Sequence, residues 1–118
     1  MLSRRCNMEN KVDVKKIAQQ NDSFRQTFCG GKILLTCGIS ALPSIQQTEI
    51  INKVKNFNDF TEDNDPYGEH DFGCFDYHGQ QIFWKIDLYD VNFEFYSPQP
   101  DDETQTNRVL TIMFADEY

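Results

Sequence analysis

The chain has 118 residues, 39% hydrophobic and 14% aromatic, with ten Phe, five Tyr and one Trp; that supplies one hydrophobic core, is short for two ordinary domains and argues against disorder outside the ends. Its net charge of −8 is split: residues 1–55 carry nine Lys or Arg against four Asp or Glu, whereas residues 56–118 carry only Lys85 and Arg108 against fifteen acids. The acidic half repels nucleic acid and anionic membranes, so direct binding to either is not expected, and basic proteins or cations are the partners it favours.

No apolar run approaches the roughly 20 residues that span a bilayer, and Met1-Leu2-Ser3-Arg4-Arg5-Cys6 is not followed by the apolar stretch of a signal peptide. The expectation is a cytoplasmic protein. Cys6, Cys29, Cys37 and Cys74 lack the paired CxxC spacing of a zinc ribbon or redox motif, and they are expected to be reduced and mostly buried.

Residues 1–11 read as a flexible N-terminal segment and 12–118 as a single domain. Ile17, Ala18, Phe24 and Phe28 recur at helical spacing and predict an amphipathic helix over 12–27, capped by Asn10 or Asp13 and ended by Gly30-Gly31. The short apolar run Lys32 to Cys37 predicts a buried strand. Ser44 and Gln47 form the pattern of a capping box, and Ile50, Ile51, Val54 and Phe57 share one face of a second helix over 44–57. Cys74 to Tyr77, the turn His78-Gly79 and Gln81 to Tyr89 predict a hairpin, because Ile82, Trp84, Ile86 and Leu88 alternate with Phe83, Lys85, Asp87 and Tyr89. Phe93 to Tyr96 alternates again and predicts another strand. Ser97 to Glu103 reads as a surface loop, and Arg108 to Phe114, apolar nearly throughout, as a central strand. The resulting fold class is α+β: an antiparallel sheet of four to five strands with two helices from the N-terminal half packed on one face.

The stretch Asp59 to Gly73, DFTEDNDPYGEHDFG, holds six carboxylates and His70 with no Lys or Arg. As an EF-hand it fails, because Tyr67 and Cys74 fall where an oxygen donor and a glutamate are required. Asp63, Asp65, Glu69 and His70 remain a donor set for a divalent cation, although no cofactor is expected. A hydrolytic reading assigns His70, Asp71 and Glu69 as catalytic residues; if that segment is a strand, neighbours face opposite ways and the orienting carboxylate for His70 must come from elsewhere. Cys74 and His78 show only C-x3-H spacing, a weak zinc signal. Much of the stretch needs no chemistry. Asp65-Pro66-Tyr67-Gly68 fits a type I turn, Asp59, Thr61, Asp63 and Asn64 can bond nearby amides, and Phe57, Phe60 and Phe72 are expected to anchor the loop. The third reading is recognition, with Asp63, Asp65, Tyr67, Glu69 and Asp71 meeting a basic surface. Lys85 and Arg108 are expected to sit against carboxylates such as Asp87.

The run Asp63-Asn64-Asp65-Pro66-Tyr67-Gly68-Glu69-His70-Asp71, with Trp84-Lys85, Asp87 and Arg108, resembles the bacterial domain-of-unknown-function family numbered thirty-seven sixty-eight, from about residue 14 to the end. Glu62 and Cys74 depart from its pattern. The resemblance implies a small single-domain bacterial protein, often carried on mobile elements, with no established activity. The functional expectation is a non-enzymatic acidic module that binds or inhibits a basic or nucleic-acid-binding protein, in an anti-defence role if mobile-element-borne. The alternative is a divalent-metal-dependent hydrolase built on the 63–71 loop.

Overall fold

The computed structural model of the protein describes residues 12–118; the expected flexible segment 1–11, with Cys6 and the alternative cap Asn10, lies outside the described residues. The elements are α1 (Val14–Thr27), β1 (Gly31–Leu35), a short α2 (Cys37–Ser40), α3 (Ser44–Lys55), β2 (Phe72–Tyr77), β3 (Gln80–Tyr89) and β4 (Asn107–Phe114). The strands form one sheet in the order β1-β4-β3-β2. The fold is α+β, with two helices of the N-terminal half packed against a four-stranded sheet. No helix among the described residues is long and apolar enough to cross a membrane.

The Asp13 carboxylate caps α1 by accepting from the Lys16 amide at 3.2 Å. Its end departs from expectation: the left-handed residue is Phe28, with φ of 60°, and its amide donates to Phe24 O at 2.7 Å. A non-glycine residue tolerates that conformation here because the Phe28 ring packs against the core and carries Lys55 Nζ 4.5 Å above its centroid. Gly31 instead serves close approach, since a Cβ there would lie 2.5 Å from Arg108 O and 2.8 Å from the Phe24 ring.

The capping box expected at α3 does not form. Pro43 occupies the cap position and its carbonyl accepts from the Gln46 and Gln47 amides, so Ser44 falls inside the helix. Gln47 turns back instead, donating to Ser40 O at 3.0 Å and Leu42 O at 2.8 Å and tying α3 to α2.

The β2–β3 hairpin closes through His78 and Gly79, with φ of 51° and 85°, the two positive values that match the twist of a tight hairpin. The Tyr77 hydroxyl donates to the Glu49 carboxylate, fastening the hairpin to α3 and raising the Tyr77 pKa. β4 is central, as its composition predicts: Leu110 and Ile112 are buried on one face, Val109 and Met113 on the other. Not every ladder is antiparallel. β1 runs parallel to β4, with Ile33 opposite Leu110 and Leu35 opposite Ile112, so the sheet is mixed; the two strands are far apart in sequence and no hairpin dictates their direction.

The strand expected at Phe93 to Tyr96 is a turn. Asp90 Oδ1 accepts from the amides of Asn92 and Glu94, Phe93 takes φ of 58°, and only an isolated bridge joins Tyr96 to Tyr89. Local aspartate chemistry outweighs the alternating pattern. Cys29, Cys37 and Cys74 carry free thiols but are exposed, correcting the expectation of burial: Cys29 follows the end of α1, Cys37 opens α2 and Cys74 lies on the outward face of β2.

Trp84 is fully buried at the centre, edge-on to Phe57 and Phe60 at 5.5 and 6.1 Å between centroids. Phe72 does not join those two as a loop anchor. Its register places it on the other face, beside Phe83 and Tyr118. Gly73 lies opposite Trp84, where a Cβ would come within 2.5 Å of the indole Nε1 and 2.8 Å of the Phe57 ring. Gly73→Ala is therefore expected to cost about 1–3 kcal/mol through overpacking, measured by urea unfolding; an unchanged midpoint would show that the indole can give way.

The C-terminus is held by Glu117, whose carboxylate accepts from the Thr36 hydroxyl at 2.6 Å, the Gly38 amide at 2.8 Å and the Phe114 amide at 3.0 Å. These donors lower its pKa from the ordinary 4.5, led by Thr36. A depressed carboxylate pKa contributes stability above the unfolded value and loses it as pH falls through the folded one. Acidification below 4.5 is thus expected to lower the protection of the Gly38 amide, its exchange rate relative to the intrinsic rate at the same pH, and Glu117→Gln to remove that pH-dependent loss; identical protection profiles for both proteins would refute the clasp.

Candidate functional site

The acidic stretch folds as a self-bonded loop against α1. Asp59 O accepts from Asn64 Nδ2, Asn64 Oδ1 accepts from the Thr61 amide, and Thr61 O accepts from the Asp65 amide. The Asp65–Gly68 turn then closes with the Gly68 amide donating to Asp65 O at 3.1 Å and Gly68 at φ of 71°. The Asp65 carboxylate, only 8% exposed, reaches across the turn to accept from the His70 amide at 3.1 Å. His70 itself sits at φ of 56°. This strained conformation for a residue with a side chain aims its ring inward, where it stacks on Phe60 at 3.9 Å with planes 2° apart.

The carboxylate that orients the ring comes from α1. His70 Nδ1 lies 2.9 Å from Asp22 Oδ2, while Nε2 is 3.7 Å from Asp65 Oδ2. Asp22 also accepts from Arg25 Nη2 at 2.9 Å. Arg25 is 1% exposed; its Nη1 donates to Val54 O and Lys55 O at the end of α3, and its guanidinium lies 5.0 Å from the Trp84 ring and 5.5 Å from that of Phe60. One residue before Asp22 on the helix, Asn21 donates to Glu69 O at 2.9 Å and accepts from Arg108 Nε at 2.8 Å. Arg108 Nη2 donates to Gln20 Oε1 at 2.8 Å.

The proposed contact residues therefore divide. Asp65 and Glu69 are buried, Asp71 and His70 are half-buried, and Asp63 and Tyr67 are exposed. Of the candidate metal and catalytic residues, Asp65 and His70 are brought together and Asp63 stays on the outer surface. Among the described residues no group of three or more His, Cys, Asp or Glu side chains is arranged to hold a metal ion. A general base needs a ring nitrogen aimed at substrate; here Nδ1 is taken by Asp22 and Nε2 faces Asp65, so the ring bridges helix and loop. Cys74 is exposed on β2, and His78 stacks on Tyr77 in the hairpin turn.

Lys85 pairs with Asp87 at 2.8 Å, and that contact raises its pKa. Arg108 corrects the matching expectation: its bonds to described residues go to the neutral oxygens of Gln20, Asn21 and Pro100. The partners that sequence reasoning missed are Asn21, Asp22 and Arg25. The available signal was Asn21, which falls four residues after Ile17 and three after Ala18, on the buried stripe of the helix. Asn21→Ala would strand both Glu69 O and Arg108 Nε, at about 1–3 kcal/mol for each unsatisfied buried group. Urea denaturation should show a loss of that order, and a variant as stable as the parent would disprove the network.

Residues 35–117 match a family model described as a protein of unknown function (DUF3768). The matched segment begins at the last residue of β1, later than the sequence resemblance, which reached back into α1. No curated protein and no solved structure matches the chain. With most of its length, including the whole acidic loop and strands β2 to β4, under that model, the chain belongs to the DUF3768 family of proteins of unknown function.

Proposed function

We propose that the protein is an acidic binding module whose partner is a basic or nucleic-acid-binding protein. The observation that supports this is the internal use of both cations of residues 56–118: Lys85 is paired with Asp87 and Arg108 is buried, while Asp59, Glu62 and Asp63 stand exposed on a loop braced by its own hydrogen bonds. A preorganised loop loses little freedom on binding, and a cluster of one sign steers an oppositely charged surface toward it.

Within the contact set of Asp63, Asp65, Tyr67, Glu69 and Asp71, the exposed Asp63 and Tyr67 form the leading edge, and Asp71 is half-buried. Asp65 and Glu69 act from beneath by shaping the turn. The family resemblance supports a narrower form of this reading, a cytoplasmic inhibitor borne on a mobile element. The metal-dependent hydrolase reading draws less support, since both ring nitrogens of His70 face carboxylates.

Immobilised protein should retain a basic protein from the native host at low salt and release it at high salt, with mass spectrometry identifying the partner. The triple variant Asp59→Lys, Glu62→Lys, Asp63→Lys is expected to weaken retention about tenfold or more, because exposed charges act together at low ionic strength. Retention of no basic protein at low salt by the parent would sink the proposal.

A further inference from the structure

On the other side of α1 from His70, a pocket of ≈ 250 Å³ is lined by Gln20, Ser23, Gly30, Glu103, Thr106 and Arg108, with Phe24 behind them. That volume is below the range of drug-sized ligand sites and suits a molecule of a few heavy atoms. Arg108 is 3% exposed, and among the described residues it forms no ion pair. Its Nε and Nη2 are held by neutral oxygens, and Nη1 donates to no other described residue. A guanidinium removed from water without an anion is costly, and burial lowers its pKa from the ordinary arginine value.

The same pocket also has a negative lining residue, Glu103. Exposed Glu103 is near enough for its charge to oppose that lowering, yet the two groups are farther apart than an ion pair. Ser23 and Phe24 belong to the C-terminal half of α1, whose carbonyl end carries a partial negative charge. A simple anion would be drawn by Arg108 and repelled by this rim; a simple cation would meet the reverse. A ligand carrying both charges a few ångströms apart satisfies both groups.

We infer that this pocket binds a small zwitterion of the amino-acid class, its carboxylate on Arg108 and its ammonium toward Glu103. Ser23 and Thr106 line the pocket, the Thr106 hydroxyl being held by Gln99 O and the Ser97 hydroxyl, and the volume limits the side chain to a few atoms.

The inference is tested by titrating the full chain with glycine, L-alanine, L-serine, sodium acetate and L-alanine methyl ester, following backbone amide resonances by NMR. At least one of the three amino acids should produce saturable shifts at Gly30 and Thr106. Acetate, which lacks the ammonium, and the ester, which lacks the carboxylate, should bind about tenfold more weakly or worse, the weight of one charge-assisted contact. Glu103→Gln, on the exposed rim, should weaken the amino acid and narrow its advantage over acetate; Arg108→Lys should weaken all carboxylates. If the Arg108 variant does not fold, Glu103→Gln decides. No saturable shift with any amino acid, acetate binding as tightly as the best of them, or an unchanged Kd in Glu103→Gln would each overturn the assignment.

Discussion

The Asp22 carboxylate is the joint on which the arrangement of helix, loop and sheet depends. It accepts from the buried Arg25 and from the His70 ring, so one side chain joins a guanidinium that reaches the end of α3 to an imidazole that fixes the acidic loop. Burying a guanidinium without a partner costs several kcal/mol. Arg25 offsets that cost through two carbonyls, one carboxylate and the faces of Trp84 and Phe60, with only its Nε left without a hydrogen-bond partner. Because Phe60 also stacks on His70, the aromatic and ionic contacts cannot be satisfied separately. The loop has no ladder of its own, yet it takes one position.

That joint separates the roles of residues that look alike in sequence. Asp65 and Glu69 are carboxylates spent on the inside, and Asp59, Glu62 and Asp63 are carboxylates left outside. The division falls around the turn: Asp65, which opens it, reaches back to the His70 amide, and Glu69 follows it inward against α1, while Asp59, Glu62 and Asp63 precede it on the rim. The same loop can thus be structurally specified by some of its acids and present a charged surface with the others.

Legibility in the sequence follows the range of the interaction involved. The alternation of Ile82, Trp84, Ile86 and Leu88, the His78-Gly79 turn and the Asp65-Pro66-Tyr67-Gly68 turn were readable because each is decided within a few residues. Phe93 to Tyr96 misled because two local signals compete there, and the bonds made by Asp90 prevail over alternation. The Asp22–His70 contact spans 48 residues and the Asn21–Arg108 contact 87. No spacing rule reaches that far. That Asp71 cannot orient His70 follows only if the segment is a strand; His70 and Asp71 instead precede β2, with His70 left-handed, and it is Asp22 of α1 that meets the ring.

Gln20, Asn21 and Asp22 show how α1 makes such contacts. Consecutive helical residues point about 100° apart, so three in a row sweep more than half the circumference. Gln20 and Asn21 bond Arg108, Asn21 also holds Glu69 O, and Asp22 takes His70. A single turn of helix therefore has the acidic loop on one side and the Arg108 pocket on the other. It also lies outside the segment that matches the family model, although His70, Glu69 and Arg108 lie inside it. Residues 35–117 taken alone would leave a buried guanidinium without Gln20 and Asn21 and an imidazole without Asp22. The helix that precedes the matched segment thus supplies bonds that the segment's own residues do not.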